Sequence, residues 1–281
     1  MLDVMSPSFV TIEGRRIAYA EGSPSHPKGT ILLLPGIANQ RFLWYKQLPV
    51  FGREYRTLAL DYRDTGDSDP ASRPYRIADL ADDAAAVLRA LSIAKSHVVG
   101  ISMGGLVAQE LALRHAEVVD RLVLASTTAG GLRMALPPPW TLLRILPAFI
   151  WHSKMEPGEL KSRALSLIMA PGYPESHPEE MERIAEIGRC ERITREAYGR
   201  QLRAGLRHAM PRRLGKIQAN TLVIHGENDP AFVVKNGVKL ARWIPDARLI
   251  VYPNTGHLPI IERAEEFNRD VLDFLGQSSP V

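Results

Sequence analysis

The sequence predicts an α/β fold: a mostly parallel, eight-stranded sheet with helices on both faces and one long helical insertion. Three observations predict it. Short, almost wholly apolar runs recur, as in TILLL (30–34), SHVV (96–99) and TLVIH (221–225), the pattern of strands buried on both faces. Segments of helical period separate them. The pentapeptide Gly100-Ile101-Ser102-Met103-Gly104 joins one such run to a helix-forming stretch, so that a strand turns sharply into a helix there.

In chain order, residues 9–12 and 15–20 around Glu13-Gly14 read as a hairpin. Strand-like runs follow at 30–34, 56–60, 96–99, 121–124, 221–225 and 248–252. Residues 77–91 (IADLADDAAAVLRAL) have the apolar spacing of an amphipathic helix, with Asp79, Asp82 and Asp83 in its early turns, where the helix dipole favours acids. Further helices are expected at 106–113 and 262–275. From about 131 to 213 no strand pattern appears. This stretch opens on Pro137-Pro138-Pro139 and then turns helical in pattern, which predicts a helical cap (131–213) inserted in a core built from residues 1–130 and 214–281. Its many apolar residues exceed what a solvated lid needs. Trp140, Phe149 and Trp151 are candidate contacts for an apolar substrate group.

In an open α/β sheet, sites gather beyond the carboxyl ends of the strands, and the chemistry-bearing residues fall there. The turn at Ser102 thrusts the hydroxyl out of the backbone. A serine hydroxyl attacks only if a base takes its proton and a third group orients the base. For this turn the chain order is Ser, then Asp or Glu, then His. His257, on a turn after the run 249–252, is the candidate base. His97 and His225 lie in strands, and His26, His115, His152, His177 and His208 lie in loop or helix contexts. Asp229, in the loop after 221–225, is the candidate acid; Glu227 is its neighbouring rival with less reach. After the run 121–125 stand Ser126, Thr127 and Thr128, which offer no carboxylate. Acyl transfer also needs donors aimed at a developing oxyanion. The backbone N–H groups of Met103 and Ile37 are the candidates, the second on the loop Pro35-Gly36-Ile37 after the run 31–34.

GISMGG, LLLPG, the loop Asp61-Tyr62-Arg63-Asp64-Thr65-Gly66-Asp67-Ser68, HGENDP and NTGHLPIIERAEEF together resemble the α/β-hydrolase superfamily, in its esterase, lactonase and lipase-like branch, over nearly the whole chain. The resemblance implies Ser102, Asp229 and His257 as a triad and Ile37 and Met103 as oxyanion donors. One departure is Pro35 where the family usually has His. The Asp61 loop is also similar to that of some antibiotic methyl esterases, and LASTTAGG with the Pro-rich stretch after it is similar to intracellular polyhydroxyalkanoate depolymerases. Dehalogenases and epoxide hydrolases of this fold carry Asp at the nucleophile position, and proline iminopeptidases usually carry Trp after it. Ser102 and Met103 separate the chain from both.

At 281 residues the chain suits one large domain or a domain with an insertion. Its single cysteine, Cys190, excludes an intrachain disulfide and fits a reducing compartment, so a cytoplasmic location is expected. The start lacks the basic and apolar segments of a secretory signal, and residues 141–151 are too short to span a bilayer. No metal-ligand spacing, phosphate loop or dinucleotide fingerprint appears, so no metal or cofactor is expected. The net charge is +4, and residues 131–213 carry the excess, with 14 basic and 9 acidic residues. Arg189, Arg192, Arg195, Arg200, Arg203 and Arg207 recur at helical spacing, which reads as a solvated helix face rather than as nucleic-acid binding. The expectation is therefore a serine hydrolase of a small-molecule carboxylic ester. Lactonase, polyester depolymerase, C–C hydrolase, cofactor-free perhydrolase and a triad-bearing ligand receptor are the alternatives.

Overall fold

The computed structural model describes residues 5–149 and 157–277. Its strands are β1 (Ser8–Ile12), β2 (Arg15–Gly22), β3 (Thr30–Leu34), β4 (Arg56–Leu60), β5 (Ser96–Ile101), β6 (Val119–Ala125), β7 (Asn220–Gly226) and β8 (Ala247–Tyr252). They form one 8-stranded sheet in the order β1-β2-β4-β3-β5-β6-β7-β8. β1 and β2 form the expected hairpin, turning on Glu13 at φ 47° and Gly14 at φ 76°. β2 also runs antiparallel to β4. From β4 onward all neighbours are parallel.

The helices are α1 (Leu48–Phe51), α2 (Ile77–Ala90), α3 (Met103–Arg114), α4 (Pro139–Ile145), α5 (Pro157–Ser166), α6 (Tyr173–Ser176), α7 (Pro178–Cys190), α8 (Arg195–Leu206), α9 (Lys235–Trp243), α10 (Pro259–Glu262) and α11 (Ala264–Leu275). Strand alternation divides the core in two. Leu32 and Leu34 pack with Leu80 and Leu88 of α2, Leu111 of α3 and Leu240 of α9. Ile31 and Leu33, one residue out of phase, pack with Leu48 and Phe51 of α1 and Phe267 and Val271 of α11. These residues are fully or almost fully buried, so each contributes about 1.5–3 kcal/mol, and Leu32→Ala would cost about 2–5 kcal/mol.

Helix boundaries follow local chemistry. α2 begins where Asp79 Oδ2 accepts from the Arg76 N–H at 2.7 Å. It buries Ile77, Leu80, Ala81, Ala84 and Leu88, an i, i+3, i+4 stripe. The terminal helix expected at 262–275 divides at Arg263 (φ −135°, ψ 45°), leaving Glu262 in the short α10. The Glu262 carboxylate is spent on backbone N–H groups of the preceding turn.

Between β6 and β7 the interval 131–213 holds α4 to α8 and, among its described residues, no strand. It is tied to loops at the carboxyl ends of the strands. Gly66 N–H donates to Arg192 O at 2.9 Å, His257 N–H to Ile168 O at 2.8 Å and Met210 N–H to Ala129 O at 2.9 Å. No helix among the described residues is long and apolar enough to cross a membrane.

Candidate active site

Ser102 sits between β5 and α3 with φ 55° and ψ −120°, a conformation that costs a non-glycine residue energy and persists only when its surroundings impose it. Two glycines impose it. A Cβ on Gly104 would lie 2.0 Å from Leu34 O, and one on Gly100 would lie 2.4 Å from Gly104 O. The chain can therefore fold back on itself and against β3 only without side chains there. α3 starts at Met103, earlier than the expected residue 106, so Ser102 occupies the N-cap position itself. The Ser102 N–H is held by Ala125 O at the end of β6, at 3.0 Å.

Asp229 follows β7 and is 3% exposed. Its Oδ1 accepts from the N–H groups of Ala231 and Phe232 at 2.8 and 2.9 Å. Its Oδ2 pairs with His257 Nδ1 at 2.8 Å. Glu227, the rival acid, is exposed and reaches only the Asn254 N–H, at 3.4 Å. Burial pushes the Asp229 carboxyl up, but the charge and hydrogen bonds supplied by His257 and His225 outweigh it and hold its pKa down to about 2. It is ionised at neutral pH.

The loops carrying Asp229 and His257 are in direct contact, since a Cβ on Gly226 would lie 2.0 Å from Gly256 O. Phe232 packs edge-on against the His257 ring, with centroids 5.6 Å apart. Gly36 lies against the Ser102 turn, and a Cβ there would be 3.4 Å from Ser102 Cβ. Ser102, Asp229, His257, Ile37 and Met103 thus collect at one edge of the sheet, beyond β5, β7, β8 and β3. Met103 is the first residue of α3, so its N–H has no intrahelical acceptor. The Ile37 N–H donates to no protein group among the described residues.

Four residues here were not singled out from the sequence. His225, fully buried at the end of β7, brings Nε2 to 3.3 Å from Asp229 Oδ2 and also bonds Phe232 O. Its i, i+4 spacing from Asp229 was the available signal. Glu262 accepts from Gly256, Leu258 and Ala170 N–H groups at 2.8, 2.9 and 2.9 Å. Gln201 of α8 is fully buried, and its Oε1 accepts from Ala38 N–H at 2.8 Å; Ala38 has φ 59°. Lys161 of α5 bonds Asn39 Oδ1 at 2.6 Å and Glu191 Oε2 at 2.5 Å, and Asn39 in turn donates to Ile37 O at 2.8 Å. Only the fold brings α5 and α8 to the loop after β3.

Of the candidate contacts in the insertion, Trp140 lies on α4 and is 72% exposed, beside exposed Leu143. Phe149 ends a turn at Leu146–Phe149; its side chain, like the whole of Trp151, lies outside the described residues. No group of three or more His, Cys, Asp or Glu suited to hold a metal occurs among the described residues.

The geometry has counterparts among known proteins. The alpha/beta hydrolase family matches residues 31–270. A 2-hydroxymuconate semialdehyde hydrolase of Pseudomonas putida is 32% identical over 233 residues, which cover 79% of this chain and 78% of that one. A poly(3-hydroxyalkanoate) depolymerase of Ectopseudomonas oleovorans is 30% identical over 258 residues, 90% of this chain and 87% of that one. The crystal structure of the enol-lactonase from Burkholderia xenovorans LB400 superimposes with a TM-score of 0.81 at 26% identity, covering 96% of this chain and 100% of that one. A strained strand-to-helix turn at Ser102, a mostly parallel sheet that gathers Asp229 and His257 beyond its carboxyl edge, and a family match spanning β3 to β8 lead to one conclusion: the chain belongs to the alpha/beta hydrolase family.

Proposed function

We propose that this protein is a serine hydrolase that cleaves carboxylic esters of small molecules through an acyl-enzyme. The observation that carries the reading is the hydrogen bond between Asp229 Oδ2 and His257 Nδ1 at 2.8 Å, at the same sheet edge as the strained Ser102. With Nδ1 donating to the carboxylate, Nε2 is the ring's free base.

Ser102 Oγ attacks the ester carbonyl as its proton passes to His257 Nε2, and the carbonyl π pair moves onto oxygen. The Ile37 and Met103 N–H groups stabilise that oxyanion, helped by the positive end of the α3 dipole. The oxyanion collapses, the C–O bond breaks, and the alkoxide leaves with the proton from His257. Water then gives a proton to His257, attacks the acyl carbon and releases the acid and Ser102. Asp229 stays ionised and stabilises the imidazolium in both halves. Water is the only co-reactant these steps take. The insertion 131–213 acts as a cap that selects the substrate, with Trp140, Phe149 and Trp151 as contacts for the acyl chain. Trp140, largely exposed, offers its apolar surface to a ligand rather than to the core.

The relatives named as a semialdehyde hydrolase, an enol-lactonase and a polyester depolymerase support a second reading, in which the same groups open a lactone, a polyester or a C–C bond. Turnover of a panel of p-nitrophenyl esters of graded acyl length, of lactones, and of a vinylogous 1,5-diketone acid separates them. The ester reading predicts the highest kcat/KM on an ester. A C–C or lactone substrate favoured by more than tenfold overturns it.

A further inference from the structure

Away from Ser102, the start of α2, the far half of α3, α8 and residues 208–213 line an open cavity of about 460 Å³, at which Arg76, Arg203 and Arg207 are exposed. Glu110 and Arg114 on its wall are 8 and 12 residues along α3 from Ser102, about 12 and 18 Å at the helical rise. Six arginines reach it. Three are neutralised: Arg200 by Asp64 at 2.7 and 3.1 Å, Arg213 by Glu110 at 3.0 and 3.2 Å, and Arg114 by Asp82 at 2.9 and 2.8 Å. Arg76, Arg203 and Arg207 make no ion pair among the described residues.

Their surroundings concentrate positive charge. Arg203 in the last turn of α8 and Arg207 at its C-cap stand one turn apart, where the helix dipole favours each cation but their like charges repel. Arg76 is the N-cap residue of α2, at the positive end of a helix of 14 residues, where the dipole attracts an anion and the Asp79 carboxylate already meets the Arg76 N–H. His208 stands in the same wall, 8% exposed, with Nε2 lacking any hydrogen-bond partner. Burial first, and Arg213 second, hold its pKa down to about 4, so the ring is uncharged and adds nothing to the repulsion. An anion carrying two charges would offset the repulsion between Arg203 and Arg207 and meet the unpaired charge of Arg76.

We propose that this cavity binds a phosphate-bearing small molecule, its phosphoryl group held by the guanidinium groups of Arg76, Arg203 and Arg207. Guanidinium forks match phosphate oxygens and make charge-assisted bonds. The cavity is far larger than a bare phosphate and falls in the size range of small-molecule pockets, so the ligand carries an organic group as well. The inference is independent of the reaction assigned to Ser102.

Isothermal titration of the whole protein with phenyl phosphate, orthophosphate and malonate, each against sodium chloride at matched ionic strength, tests it. One saturable site per chain for the two phosphates is expected, with phenyl phosphate at least tenfold tighter than orthophosphate. Equal affinity for the two assigns free phosphate as the ligand. Arg203→Gln with Arg207→Gln, and separately Arg76→Gln, should each weaken phenyl phosphate at least tenfold while ester turnover stays as in the parent and the melting temperature without phosphate does not fall. No heat beyond the chloride control, tighter binding of malonate than of either phosphate, or unchanged affinity in both variants overturns the proposal.

Discussion

Glu262 grips the turn that carries His257 from both sides: its carboxylate accepts from the N–H groups of Gly256 at 2.8 Å and Leu258 at 2.9 Å, the residues flanking the imidazole. A third bond, from Ala170 N–H at 2.9 Å, ties the helical insertion to the same group. Burial raises its pKa while these three bonds lower it.

Glu262→Ala leaves three partly buried N–H groups without an acceptor, and each such loss costs about 1–3 kcal/mol at most. The expected outcome is a clear drop in melting temperature together with a fall in kcat. Glu262→Gln, which keeps one acceptor oxygen, should lie between. A Glu262→Ala protein with parental kcat would show that the His257 turn is held by other contacts.

The acid limb of stability reports on Asp229. Its folded pKa, about 2, lies below the usual value near 3.9, so its contribution is fully present above about pH 4 and is lost as pH falls towards 2. The shift corresponds to roughly 2–3 kcal/mol. Asp61 works oppositely. Burial, against the pull of Arg41, raises it to about 6, so its ionisation costs stability as pH rises from about 4 to 6. Comparing wild type with Asp229→Asn cancels the Asp61 effect. Denaturant unfolding at pH 5 and pH 2.5 should show the stability difference between the two proteins shrinking on acidification. A difference constant with pH would contradict the assignment.

Gln201 reaches from α8 to the N–H beside the proposed oxyanion donor, so the proposed mechanism couples α8 to the chemical step. Gln201→Ala should lower kcat more than it raises KM, because Ala38 loses its acceptor and the Ile37 loop its alignment. Gln201→Glu keeps the acceptor and should recover much of the rate. An effect confined to KM would assign Gln201 to substrate binding instead.

Trp140 contributes little core packing, so Trp140→Ala should change stability by no more than about 0.5 kcal/mol. It should lower kcat/KM for long acyl esters while leaving acetate esters near parental rates, each lost methylene contact being worth about 1–3 kcal/mol. An unchanged acyl-length profile would remove α4 from the substrate site.

The strands were legible in the sequence because burial on both faces of a parallel sheet leaves near-continuous apolar runs. The Ser102 turn was legible because the clash that excludes a side chain at Gly100 is local, with Gly104 O four residues on, although Gly104 itself is demanded by Leu34 O, far back in the chain. His257 and Asp229 could be ranked because each follows such a strand. What stayed hidden depends on distant segments meeting. The roles of Gln201 and Lys161, and the bond from Ala170 to Glu262, follow from which helix reaches which loop, and a glutamine or lysine in an amphipathic pattern carries no sign of that. The arginines of α8 read as a solvated face along one helix. Three of the six that line the cavity come from the start of α2, from α3 and from the loop after α8, and only the fold puts them opposite.

The central claim is that Ser102 is the nucleophile, with His257 as its base. The most direct test is to treat the protein with a fluorophosphonate and map the adduct by peptide mass spectrometry, alongside ester turnover of Ser102→Ala. One adduct per chain, on the peptide containing Ser102, and a loss of several orders of magnitude in kcat with the fold intact are predicted. An adduct on another residue, or near-parental turnover in Ser102→Ala, would contradict it.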